Sequence, residues 1–213
     1  PIGLDRDVNK GVSVSAGAYP KKTAEAVTDF TPATYGSLLA KMAVTEAWYT
    51  ANANGAITAA GTAANADGSA KEGYTKHGGN MRSFNEVSLV CNQVDYLSKI
   101  MPATTVLNNA GAYVRDLFPF PTNVIRCNGV ATGEAILFLP KEYFMGLGSS
   151  KEGVLEFSDE FKFLEDKRTF KIKMYGMGTP IDDTVAVLLD ISNLDPAYLN
   201  VKVNGSVTTV ASA

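Results

Sequence analysis

The sequence predicts an α+β fold, and three observations predict it. Apolar and polar residues alternate with period two in several short runs, most plainly Phe170-Lys171-Ile172-Lys173-Met174-Tyr175; that alternation marks a strand with one wet face. A single stretch after Thr31 instead repeats apolar residues at helical spacing. Glycine and proline punctuate the boundaries between these runs, as tight connections require.

Composition limits what such a fold can do. A chain of 213 residues, 46% of them hydrophobic, builds one large domain or two small ones around a real core. Charged residues are 19%, below the usual level of about 25%. A lean charged surface fits a protein that contacts partner subunits, and it fits equally well the dilution caused by an Ala/Gly/Asn-rich stretch. The net charge of -3 argues against a dedicated nucleic-acid binder, which normally carries a basic patch and a high pI. No apolar run approaches the roughly 20 residues that cross a bilayer, and no basic-then-apolar start reads as a signal peptide. The chain opens at Pro1 without a methionine, which reads as a processed or cut end.

Residues 1–30 read as extended and loop-rich, with a short strand at Val12-Ser13-Val14-Ser15. Thr31 suits an N-cap, and Pro32 suits the first helical position, where its missing N–H costs nothing. Tyr35, Leu38, Leu39, Met42 and Tyr49 then describe one apolar helical face, and Asn54-Gly55 is the expected stop. Residues 51–80 hold few large apolar groups and read as a partly mobile surface loop or insertion.

Val87-Ser88-Leu89-Val90-Cys91 reads as a buried strand. Asn92 then caps a short helix, with Asp95 near its positive end. Val94, Leu97 and Met101 are expected to face the core, with Pro102 ending the helix. Residues 110–117 connect to two further strands, 123–127 and 134–139, joined by a turn at 129–133. The nearly continuous apolar run 184–191 is expected to be covered on both faces and to pair with 170–175 as a long hairpin around Gly176-Met177-Gly178-Thr179-Pro180. Leu199-Asn200-Val201-Lys202-Val203 supplies one more alternating stretch. Cys91 and Cys127 both lie in apolar runs without a CxxC spacing, and both read as small buried hydrophobes.

Chemistry-bearing patterns are sparse. His77 is the single histidine, so any Ser–His or Cys–His scheme must use it. Lys76-His77-Gly78-Gly79 superficially resembles an esterase donor loop, but no G-x-S-x-G elbow accompanies it. The Gly146–Gly153 stretch contains Lys151 followed by Glu152, not the Gly-Lys-Ser/Thr of a phosphate loop, and reads as a turn between strands. The acid pairs Asp159-Glu160 and Asp182-Asp183 lack the several spaced oxygen ligands of a calcium site and read as solvated turns. No metal or cofactor is implied. Charges of both signs crowd 156–173. Asp159, Glu160, Lys167, Arg168, Lys171 and Lys173 are either an ordinary wet strand face or a set of intersubunit ion pairs, which would specify partner and register more than affinity.

The order of these elements resembles a known family. A buried strand, a short helix and two more strands lead into Tyr143-Phe144-Met145-Gly146. There follow a strand ending in Ser158, an acidic Phe-containing linker, a lysine-rich alternating strand, Tyr175-Gly176-Met177-Gly178-Thr179-Pro180, and Leu188-Leu189-Asp190-Ile191. Over residues 84–194 this is similar to the major capsid proteins of tailed bacteriophages with the Hong Kong-type fold. The resemblance implies an axial-type domain over 31–155, carrying the insertion at 51–80, and peripheral-domain strands plus a tail over 156–213. It implies that the N-terminal arm, extended loop and spine helix of the family are absent before Thr31.

By the same resemblance, the protein is a self-assembling virion subunit and not an enzyme. It would form pentamers and hexamers around double-stranded DNA contacted only non-specifically, in the host cytoplasm, with portal, scaffolding or protease partners and no membrane. Without the arm and loop, the chain alone is expected to run as a monomer or small oligomer. Two rivals stand beside this reading: the shell protein of an encapsulin-type bacterial nanocompartment, and a small hydrolase using His77.

Overall fold

Five strands from distant parts of the sequence meet in one mixed sheet. A computed structural model of the chain describes residues 3–7, 18–58, 60–108, 110–147, 154–158, 169–173, 176–196, 200–203 and 206–209, with backbone alone at 147, 154–158, 169–173, 200–203 and 206–209. The expected strand at 12–15 and the glycine-rich turn at 148–153 lie outside these residues. In chain order the strands are β1 (Glu25–Ala26), β2 (Ala47–Ala51), β3 (Ile57–Thr58), β4 (Tyr74–Gly78), β5 (Val87–Cys91), β6 (Val106–Leu107), β7 (Tyr113–Val114) and β8 (Thr122–Arg126). They continue as β9 (Glu134–Phe138), β10 (Tyr143–Leu147), β11 (Val154–Ser158), β12 (Thr169–Lys173), β13 (Gly176–Pro180), β14 (Ala186–Asp190), β15 (Asn200–Val203) and β16 (Ser206–Thr209). The helices are α1 (Pro32–Met42), α2 (Ala60–Ala63), α3 (Gln93–Asp95) and α4 (Met101–Thr104), with a π-turn over Tyr96–Ile100 joining the last two. The architecture is α+β, as the alternation predicted.

The central sheet runs β1-β14-β9-β5-β8. Its outer pairs, β1–β14 and β5–β8, are parallel, and its inner pairs, β14–β9 and β5–β9, are antiparallel. β5 has both of its flanks paired, and one face, Val87, Leu89 and Cys91, is fully buried, while on the other Ser88 is buried and Val90 partly so. β14 behaves as its unbroken apolar run predicted, with Ala186, Leu188 and Leu189 buried. α1 lies against β14. Thr31 caps it by accepting a hydrogen bond from the Thr34 N–H, and Tyr35, Leu38 and Met42 bury its inner face. Phe30, Tyr35 and Phe118 pack ring against ring with centroids 5.6–5.8 Å apart, and the Tyr35 hydroxyl reaches Thr122 Oγ1 at 2.6 Å.

Several expectations are corrected by this arrangement. α1 ends at Met42, not at Asn54-Gly55, and Tyr49 belongs to β2. Residues 51–80 are not an irregular loop. They contribute β3 and β4 to a three-stranded antiparallel sheet, β3-β2-β4, that closes over Tyr49 and Ala63. Small residues make this affordable in space: with so little bulk, one tyrosine and one alanine suffice as a core. Gly55 occupies the turn between β2 and β3 with φ +64°, a region that only glycine adopts freely.

Of the residues expected to face the core after Asn92, Met101 packs against it but Val94 and Leu97 turn outward. Val94 and Leu97 are 63% and 50% exposed, while Tyr96, Ile100 and Ala103 are buried. The cause is polar: the Asp95 carboxylate accepts the Gly133 N–H at 2.7 Å and draws its own side of the helix inward. Pro102 does not end the helix. The wide π-turn, in which the Met101 N–H bonds to the Tyr96 carbonyl, places it in the first turn of α4, where no donor is missed.

Strand pairing corrects the hairpin expected around 176–180. Gly176–Pro180 is itself a strand, β13, paired antiparallel with β10. β12 pairs with β11, and β14 is taken by the central sheet. A strand apolar on both faces gains more in the middle of a sheet than at one edge of a hairpin. Cys127, expected to be buried, is exposed, because it follows β8 at the open edge of the sheet.

Candidate functional site

His77 sits on β4 directly opposite Trp48 on β2. Their rings stack with centroids 5.5 Å apart and planes 16° from parallel. His77 Nε2 lies 2.9 Å from Thr50 Oγ1, its diagonal neighbour on the same sheet face. Next along that face, the Thr75 hydroxyl bonds to Asn52 Oδ1 at 2.6 Å. A hydroxyl–imidazole pair has the elements of a nucleophile and base. Among the described residues, however, no carboxylate orients the imidazole, and Thr50 is the only hydrogen-bond partner of the His77 side chain. Gly78 follows with φ +76°, and a Cβ there would lie 2.3 Å from the Glu46 carbonyl. The strand thus ends on a backbone contact that admits only glycine.

Among the described residues, no group of three His, Cys, Asp or Glu side chains is placed to hold a metal ion, and no helix is long and apolar enough to cross a membrane.

Of the acid pairs read as solvated turns, Asp182-Asp183 is instead structural. Asp182 accepts hydrogen bonds from the Thr184 N–H (2.7 Å) and hydroxyl (2.6 Å) and from the Glu46 N–H (2.7 Å). Arg82, only 6% exposed, has its guanidinium 3.7 Å from Asp182 and 3.9 Å from Glu142. It also donates to the Met42 carbonyl (2.8 Å) and to Thr184 Oγ1 (3.2 Å). One side chain therefore ties the end of α1, the three-stranded sheet and the roots of β10 and β13. Lys22 does similar work nearby: it lies 3.1 Å from Asp183 and donates to the Ala186 and Asp183 carbonyls. Nothing in the sequence around Arg82 marks it, because its partners are 40 to 102 residues away.

A second polar cluster lies at the opposite end of the central sheet. The Tyr96 hydroxyl donates to both Asp116 carboxylate oxygens (2.9 and 3.0 Å), and the Arg126 guanidinium sits 5.1 Å above the Tyr96 ring. Burial first, then the hydrogen bond to Asp116 and its charge, push the Tyr96 hydroxyl above its ordinary pKa. Asp116 holds φ +59°, the only non-glycine residue described in the left-handed region.

The exposed surface carries the clearest anomaly. Phe144, Met145 and Met177 on the β10–β13 ribbon are 55%, 73% and 60% exposed. Phe144 and Met177 flank Gly146 from the same side, and Met145, one residue on, occupies the other face. A two-stranded ribbon with apolar groups on both faces has no core of its own. Three consecutive apolar residues followed by Gly in the sequence are the signal that could have found it. A second apolar area surrounds β6 and β7, where Leu107 and Tyr113 are exposed.

Of the residues predicted as intersubunit contacts, Lys171 and Lys173 lie on β12, opposite Glu156 and Val154 of β11. Asp159, Glu160, Lys167 and Arg168 lie outside the described residues. A scan against protein-family models finds no matching family, and a search of curated proteins finds no match.

Proposed function

We propose that this chain is a structural subunit of a tailed-phage type of icosahedral shell, building pentamers and hexamers around double-stranded DNA through many moderate contacts between copies. The observation that carries this reading is the β10–β13 ribbon, apolar on both faces and exposed at Phe144, Met145 and Met177, with no cover among the described residues. Exposed apolar surface of this kind needs a partner. A subunit repeated many times in a closed shell supplies one at every position, since head-to-tail contacts close into rings when the rotation between copies divides a full turn. The open edge of β8 is a further surface awaiting a neighbour. The ordered series of sequence motifs over 84–194 supports the same reading.

The test is to express the full open reading frame that encodes this chain and to image the product by electron microscopy. Closed shells containing DNA are the expected result. Shells filled with an enzyme would shift the assignment to a nanocompartment. A product that forms no particle and loses an esterase activity on His77→Ala would refute the structural role outright.

A further inference from the structure

The ribbon has a counterpart on the same molecule. A groove of about 330 Å³ opens at the start of α1, where Phe30, Pro32, Val106, Leu117, Phe118 and Pro119 form its apolar lining. Asp29 and Asp195 stand on its rim. The two carboxylates differ in state. Asp29 is engaged in capping: it accepts the Thr31 N–H (3.0 Å) and the Thr34 hydroxyl (2.8 Å). Asp195 is exposed, and its side chain has no partner among the described residues. At the root of the ribbon, Lys141 is likewise exposed and without a side-chain partner among the described residues. Among the described residues, groove and ribbon are therefore complementary in both polarity and charge: apolar lining to apolar face, exposed carboxylate to exposed ammonium.

They also sit at opposite ends of one rigid element. The groove is at the first turn of α1. The ribbon is anchored at the last, where the Met42 carbonyl holds Arg82 between Glu142 and Asp182. Eleven helical residues separate the two by roughly 16 Å. Unlike surfaces at opposite ends of a rigid body make a head-to-tail contact, the kind that closes into rings. We infer that the Phe144–Met177 face of the ribbon in one copy seats in the Phe30–Phe118 groove of the next, with Lys141 set against Asp195. This contact rests on the self-assembly reading and names the surfaces that reading requires.

The experiment places a benzophenone side chain at Leu117 in the full chain and mixes equal amounts of ¹⁵N-labelled and unlabelled protein. After irradiation, mass spectrometry identifies the linked peptides. Heavy–light links into peptides spanning 143–147 or 176–180 are expected, and Phe144→Ser, a change at an exposed position, should abolish them while leaving the circular dichroism spectrum unchanged. In parallel, sedimentation velocity follows self-association of charge variants. Asp195→Lys and Lys141→Asp should each weaken it about tenfold, and the double swap should restore it to within about threefold. Groove-to-groove links, links only within one copy, or charge effects that add without rescue would overturn the contact. Self-association with links elsewhere sinks this contact and leaves assembly standing. No self-association of the product of the full open reading frame at any concentration sinks the assembly reading itself.

Discussion

Replacing Arg82 with methionine should uncouple the three-stranded sheet from the rest of the molecule. Methionine roughly keeps the buried aliphatic stem and removes the charge and its donors. What is lost can be counted from the geometry: a hydrogen bond to the Met42 carbonyl at 2.8 Å, a longer one to Thr184 Oγ1 at 3.2 Å, and ion pairs at 3.7 and 3.9 Å. Hydrogen bonds from a charged group contribute about 1.5–3 kcal/mol each, and removing one partner of a buried ion pair costs about 3–5 kcal/mol because the other charge stays behind. Glu142 is a third exposed and the Thr184 bond is long, so the low end applies, about 3 kcal/mol.

With a urea m-value of about 2–3 kcal/mol/M, that moves the midpoint down by about 1–1.5 M. Trp48, the sole tryptophan, lies on β2, so its fluorescence reports the three-stranded sheet while far-ultraviolet dichroism reports the whole chain. In the native sequence the two transitions should coincide. In Arg82→Met the fluorescence transition should come first, since non-coincident probes mark a broken two-state unit. A midpoint shift below about 0.3 M, or transitions that stay superimposed, would refute the assignment of Arg82 as the tie between these elements.

Two further outcomes follow from single groups. Burial pushes the Cys91 thiol up to about 11, whereas Cys127 is exposed; a disulfide reagent at pH 8 should titrate one thiol in the folded protein and both in denaturant, and Cys127→Ser should leave none reactive in the folded state. Burial, opposed by the hydrogen bond to Thr122, pushes Tyr35 up from 10.0 to about 12. Between those values the unfolded chain releases the tyrosine proton and the folded one keeps it, so stability is unaffected by this group below about pH 10 and falls as pH rises to about 12. Denaturant titrations at stepped alkaline pH should show that decline, and Tyr35→Phe should remove its Tyr35 component.

Local chemistry was legible where neighbours in sequence are neighbours in space. The Thr31 cap with Pro32 behind it, the Asn92 cap, and the apolar runs of β5, β9 and β14 all form as their residues dictate, because a cap needs only the next turn of backbone and an apolar run needs only to be covered. The class of fold followed from the same periodicities. The inward turn of Asp95 was not legible, since its reason is a backbone N–H at Gly133, and no periodicity records a hydrogen bond across 38 residues. Residues 51–80 misled for a related reason. Low apolar content predicts poor burial, yet β2 was waiting with a free ladder of backbone donors and acceptors on both flanks.

Spacing along the chain thus specified where α1 begins and that the runs of β5, β9 and β14 extend and are hidden from water. Only packing in three dimensions settled which strand lies beside which, that Arg82 and Asp182 meet, and that Phe144, Met145 and Met177 are left facing outward. The physical reason is that burial is blind to the identity of the cover. A strand apolar on both faces demands two neighbours but cannot name them, and the choice falls to register, loop reach and charge pairs contributed from distant parts of the chain.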